Sequence, residues 1–152
     1  MNENEVGEIQ DEVAERLAAQ ASKDEETGLV RLELEDGYVF YLSPLGNGAF
    51  LAFSQLAELE EPVDGAVLRT LLAANLFGAG TGFGHFALED TTGAVVWQAR
   101  LTGTAAELAA QIAAAADLCR QWTARIEELV ANADVTDEFG GEEVQDADLI
   151  RV

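Results

Sequence analysis

The sequence predicts an α+β domain in which helices pack on a twisted antiparallel sheet, in the order α-β-β-β-α-β-β-α, with an acidic C-terminal tail. Two observations predict it. The spacing of apolar residues changes from helical to alternating and back, twice along the chain. The alternating runs are separated by short turn signals rather than by helices, which favours antiparallel hairpins over parallel crossover units.

The first helix is read over residues 5–21, where Val6, Ile9, Val13 and Leu17 form one stripe and acidic residues fill the rest of the surface. The polar run SKDEETG, residues 22–28, is read as a break. Period two then begins. Val30, Leu32 and Leu34 alternate with Arg31, Glu33 and Glu35, and Asp36-Gly37 is a hairpin signal. The next run, YVFYLS, is apolar on both faces, so it is placed centrally. PLGNG turns the chain into a third strand, residues 49–56.

Glu61-Pro62 is read as the start of the second helix, since proline is tolerated in a first turn. Its apolar face carries Val67, Leu68, Leu71, Leu72 and Leu76, and Gly78 is read as a left-handed cap. Strands are expected at Phe83–Glu89 and Ala94–Leu101, joined by DTTG. Thr104 and Glu107 are spaced as a capping box for a long helix over residues 105–131. Its buried stripe is Leu108, Ile112, Ala115, Cys119, Trp122, Ile126 and Leu129. Residues 1–131 thus form one domain. Residues 132–152, with seven acidic side chains and a Gly-Gly pair, are expected to be a flexible acidic tail.

Charge narrows the function. The 152 residues include 29 Asp and Glu against 8 Lys and Arg, a net charge of −21. Such a surface repels phosphate backbones and anionic lipid, so neither nucleic acid nor membrane is an expected partner. The lone Cys119 makes no intrachain disulfide, the N-terminus lacks a secretory signal pattern, and no run is apolar enough to span a bilayer. A soluble cytoplasmic protein is expected.

No motif points to catalysis. Gly78, Gly80, Gly82 and Gly84 follow a helix and precede a strand, whereas a phosphate loop precedes its helix. They are read as a joint whose small residues allow close packing. His85 has no nucleophile or carboxylate in register. Cys119 lies on an apolar helix stripe and reads as a buried, inert thiol. EDTTG and DEFGGEE lack the spacing of a calcium loop. Trp97 and Trp122 read as packing anchors. No catalytic, cofactor or metal residue is assigned.

The stretch LLAANLFGAGTGFGHFALEDTTGAVVWQARL, Leu71–Leu101, together with the element order and Trp122 followed by Arg125 on the last helix, resembles the class I type III secretion chaperones, the Tir-chaperone family. The resemblance covers residues 5–131. It implies a homodimer without catalysis. Its cytoplasmic role is to bind the N-terminal region of a secreted effector in extended form, keep it secretion-competent and present it to the export apparatus, whose ATPase is a further partner. It also implies a dimer interface on the middle helix and second hairpin, which here selects Leu68, Leu71, Leu72, Asn75, Leu76 and Trp97. Effector contacts on the first helix and sheet would fall on Val13, Leu17, Leu32, Leu34, Val39, Tyr41, Phe50 and Phe53. The first helix is more acidic and less leucine-rich than is usual in that family, and SKDEETG stands where a G-L-P-like segment is common.

The apolar pattern is compatible with this. Three helices do not obviously cover both faces of such a sheet, and uncovered apolar surface implies a partner, including an extended peptide at a strand edge. Three other readings remain at this level: a chaperone-like protein that sequesters a regulator of secretion genes, an α+β interaction module unrelated to secretion, and a small-molecule domain using His85.

Overall fold

A computed structural model describes the chain through Phe139, with side chains through Ala133. The order is α1 (Glu3–Arg16), β1 (Gln20–Lys23), β2 (Val30–Glu33), β3 (Val39–Gly46), β4 (Ala49–Glu58), α2 (Gly65–Asn75), a 3₁₀ turn (Leu76–Gly78), β5 (His85–Glu89), β6 (Ala94–Thr102) and α3 (Ala105–Phe139). The six strands form one antiparallel sheet in the order β1-β2-β3-β4-β6-β5.

The hairpins follow their turn residues. Gly46 pairs with Ala49, which leaves Asn47 and Gly48 as a two-residue loop at φ 53° and 75°. Two left-handed residues match the twist of the flanking strands. The α3 start is a capping box: Glu107 N–H donates to Thr104 Oγ1, and Thr104 N–H donates to Glu107 Oε2.

Several boundaries differ from the sequence reading. α1 ends at Arg16 rather than near residue 21, because Ala18 turns left-handed at φ 52° and the chain reverses. Gln20–Lys23 then pairs with β2 as an additional edge strand, exposed along its whole length. It has no apolar alternation to announce it, since ladder hydrogen bonds rather than burial hold it. α2 starts at Gly65, where the Asp64 carboxylate accepts from Ala66 N–H at 2.7 Å, so Pro62 lies ahead of the helix. α3 continues eight residues past the expected end at 131. Of the expected tail, residues 140–152 lie outside the described residues.

Register divides the sheet into two faces. Val30, Leu32, Phe40, Leu42, Phe50, Ala52, Trp97, Ala99 and Leu101 point to one side and are buried. They pack with Val13 and Ala14 of α1 and with Leu108, Ile112, Ala116, Cys119 and Ile126 of α3. Among the described residues, the other face carries no helix. Arg31, Tyr41, Phe53, Gln98 and His85 run across it as a row through five strands.

Candidate interaction surfaces

The glycine-rich joint is built by two tryptophans. Trp97 Nε1–H donates to Thr81 O at 3.1 Å, and Trp122 Nε1–H donates to Gly80 O at 2.7 Å. A Cβ on Gly84 would collide with the Trp97 ring, and one on Gly80 would come within 2.9 Å of Ala74 Cβ. The small residues therefore let the loop lie directly on both indoles, as expected of a packed joint. α2 ends at Asn75, three residues before the expected stop at Gly78, and Phe77 and Gly78 adopt left-handed φ of 54° and 71°. Asn75 then joins α2 to β5. Its Oδ1 accepts from Phe86 N–H at 2.7 Å and its Nδ2–H donates to Phe86 O at 3.1 Å.

This arrangement leaves an apolar surface around the C-terminal end of α2. Leu72 is 69% exposed, Leu76 62% and Phe77 98%, with Phe83 and Leu88 also exposed nearby in the chain. Beside them a narrow crevice runs between α2 and β5, lined by Leu68, Leu71, Leu72, Asn75, Phe86, Ala87, Leu88 and Val95. Of the residues expected at a dimer interface, Leu72 and Leu76 are on the surface and Leu68 is half-buried. Leu71 is buried in the chain's own core, and Asn75 spends both amide groups on Phe86. Trp97 has no exposed surface: it is sealed between Phe40 and Phe83 and corrects to a core residue. Phe77, Phe83 and Leu88 were not singled out by periodicity, because the first two sit among the glycines, outside any regular stripe. The available signal was large aromatic residues inside a glycine-rich break.

The helix-free sheet face is the second surface. Tyr41 and Phe53 stack across β3 and β4 with centroids 5.0 Å apart and planes at 13°. Val39 and Leu51 are half-buried beside them. Arg31 is paired to Glu33 at 2.9 Å, and that contact holds its guanidinium charged more firmly. His85 lies exposed at the end of the row, 2.9 Å from the Gln98 amide. Of the expected effector contacts, Val39, Tyr41 and Phe53 belong to this face. Leu32 and Phe50 correct to core residues, because the sheet turns them toward α1 and α3, and so does Val13, which α1 turns onto the sheet; Leu34 is buried but for a small edge that lines the groove described next.

Leu17 lines a third feature, a groove of about 540 Å³ between the end of α1, the β2–β3 turn and α3. Its floor includes Leu34, Ala113 and Ala116, and its rim carries Glu35, Asp36, Asp117 and Arg120. Arg120 bridges Asp36 at 2.6 Å and Asp117 at 2.9 Å, and lies over the Tyr38 ring at 5.4 Å. The Arg120 hydrogen bond, with the Tyr38 N–H, holds the Asp36 carboxyl below its ordinary range. Cys119 is buried beneath this region, and burial pushes its thiol up to about 12, which suits an inert packing role. Among the described residues no group of three or more His, Cys, Asp or Glu is placed to hold a metal, and no helix is long and apolar enough to cross a membrane.

Comparison with known proteins gives the same picture. No curated protein sequence matches the chain. Among solved structures, the type III secretion chaperone SycH of Yersinia pestis, in complex with a stable fragment of YscM2, superposes with a TM-score of 0.57 at 19% identity. That match covers 76% of this chain and 98% of the other. The HopA1–SchA chaperone–effector complex superposes with a TM-score of 0.59 at 16% identity, over 77% of this chain and 91% of the other. These likenesses show a shared fold. The sequence model of the Tir chaperone protein (CesT) family matches residues 11–123. The α+β order is consistent with that match, which covers most of the chain: the chain belongs to the Tir chaperone protein (CesT) family.

Proposed function

We propose that the chain is a cytoplasmic type III secretion chaperone that acts as a homodimer. It binds the N-terminal region of a secreted effector in extended form and keeps it secretion-competent. Family membership is the observation that carries this reading. Apolar surface left open in the single chain supports it. The dimer contact is assigned to the α2 end, through Leu68, Leu72, Leu76 and the neighbouring Phe77 and Leu88. The effector contact is assigned to the helix-free sheet face at Val39, Tyr41 and Phe53, and to the groove at Leu17. No catalytic step enters the role, and presentation of the loaded effector to the export ATPase would follow it. The net charge of −21 would draw a basic effector segment at low salt and weaken that attraction as salt rises.

The test is affinity isolation of the tagged protein from its native cells, with mass spectrometry and light scattering of what elutes. The expected result is a dimer carrying a secreted protein through a protease-sensitive N-terminal segment. A regulator of secretion genes in that place moves the assignment to secretion control. A monomer with no protein partner refutes both.

A further inference from the structure

Phe77 stands at φ 54° and ψ 23°, a left-handed conformation that disfavours any residue carrying a Cβ. Its ring gains almost nothing from its own chain, being 98% exposed. A strained backbone that holds a large apolar side chain out in water calls for a partner. The crevice between α2 and β5, about 60 Å³ and walled by Leu68, Leu71, Leu72, Phe86, Leu88 and Val95, is an apolar slot whose rim residues Leu72 and Leu88 are themselves exposed. Asn75 holds its two walls together through both hydrogen bonds to Phe86.

We infer that Phe77 is the anchor of the homodimer, packing against the apolar walls of the α2–β5 crevice of a second copy while the second copy's Phe77 packs against its own. The inference rests on the proposed α2 dimer and adds what that reading lacks, the residue that locks it. Knob and slot on one surface are what a two-fold interface requires, since each contact must be made twice. Charge favours a second copy here as well. Residues 65–88 contain no Asp or Glu, in a chain that carries 29. Two like-charged copies can meet at this surface without bringing carboxylates together. α1, with Glu3, Glu5, Glu8, Asp11, Glu12 and Glu15, offers no such place.

The test compares the full chain with its Phe77→Gly and Phe77→Ala variants by sedimentation velocity over a dilution series, with circular dichroism of each. Loss of one buried ring at each of two symmetric sites is expected to raise the dimer dissociation constant roughly 10²–10⁴-fold. Helical signal and thermal stability of the Phe77→Gly chain should hold, because glycine accepts the left-handed φ freely. A Phe77→Gly dimer of wild-type affinity, with Leu72→Glu still dissociating the pair, overturns the anchor and leaves the α2 dimer standing. Loss of fold in Phe77→Gly overturns it in favour of a structural role. Unchanged dimerisation with lost effector binding overturns it in favour of an effector contact. A wild-type chain that is monomeric throughout overturns the anchor and the dimer together.

Discussion

Replacing Asn75 by alanine removes one small side chain and strips two backbone groups of their partners. Asn75 closes α2 and reaches the edge strand β5, where it takes the Phe86 N–H at 2.7 Å and gives to the Phe86 carbonyl at 3.1 Å. Among the described residues no further strand pairs with β5 on that side, so the amide stands in for a neighbouring residue. Phe86 is also where β5 meets the core, its ring edge-on to Trp122 at 4.9 Å. A net 0.5–1.5 kcal/mol for each hydrogen bond gives a cost of about 1–3 kcal/mol for the pair. Both bonds are only part-buried, so water recovers some of it, and about 1–2 kcal/mol is the expected loss. Urea denaturation should show a midpoint lower by roughly 0.5–1 M at an unchanged slope. Amide hydrogen exchange at Phe86 gives the specific signature: its protection should collapse while core amides at Leu42 and Trp97 slow or quicken only with global stability. A variant within about 0.3 kcal/mol of wild type that keeps Phe86 protected would refute the clamp, because neither bond could then be holding β5.

Three other outcomes follow from the same geometry. Gly84→Ala should destabilise the fold by about 1–3 kcal/mol by urea denaturation, because the new methyl group meets the Trp97 ring and the Gln98 carbonyl, neither of which can move far. The Cys119 thiol should resist a soluble disulfide reagent in the native protein and react on unfolding; since its native value is raised, its contribution to stability is complete below about pH 9 and drains away as pH rises toward 12, read by denaturant midpoints across that range. Truncation after Ala133 should leave dimerisation unchanged by sedimentation, since the α2 end and the crevice lie wholly before that point.

Much of the fold was legible in the residues because its signals are local. Asn47-Gly48, Asp36-Gly37, and Thr104 with Glu107 each determine a turn or cap through their own backbone preferences. The alternation of Val30 and Leu32 with Arg31 and Glu33 sorts the two faces of β2 without knowledge of its neighbours. β1 was invisible for the opposite reason. Its four exposed residues have no pattern of their own, and only the presence of β2 makes them a strand.

The family, too, was carried by sequence, through the stretch around the glycines and the order of elements. The identity of the surface residues was not. Val13, Leu32, Leu34 and Phe50 look like partner contacts in a list of apolar side chains, and Trp97 looks like an interface aromatic. Whether an apolar residue meets solvent, a helix or another chain depends on which sheet face α1 and α3 cover, and that choice is made by packing between segments far apart in sequence. Phe77 shows the same limit from the other side. Its sequence neighbours mark only a break in a helix, while its exposure and left-handed backbone arise from how Trp97, Trp122 and Asn75 pin the loop on either side of the glycines. Local chemistry thus determined the elements and the kinship of this chain, and the tertiary packing alone decided which apolar side chains remain for a partner, because solvent exposure is a property of the assembled layers and of no single segment.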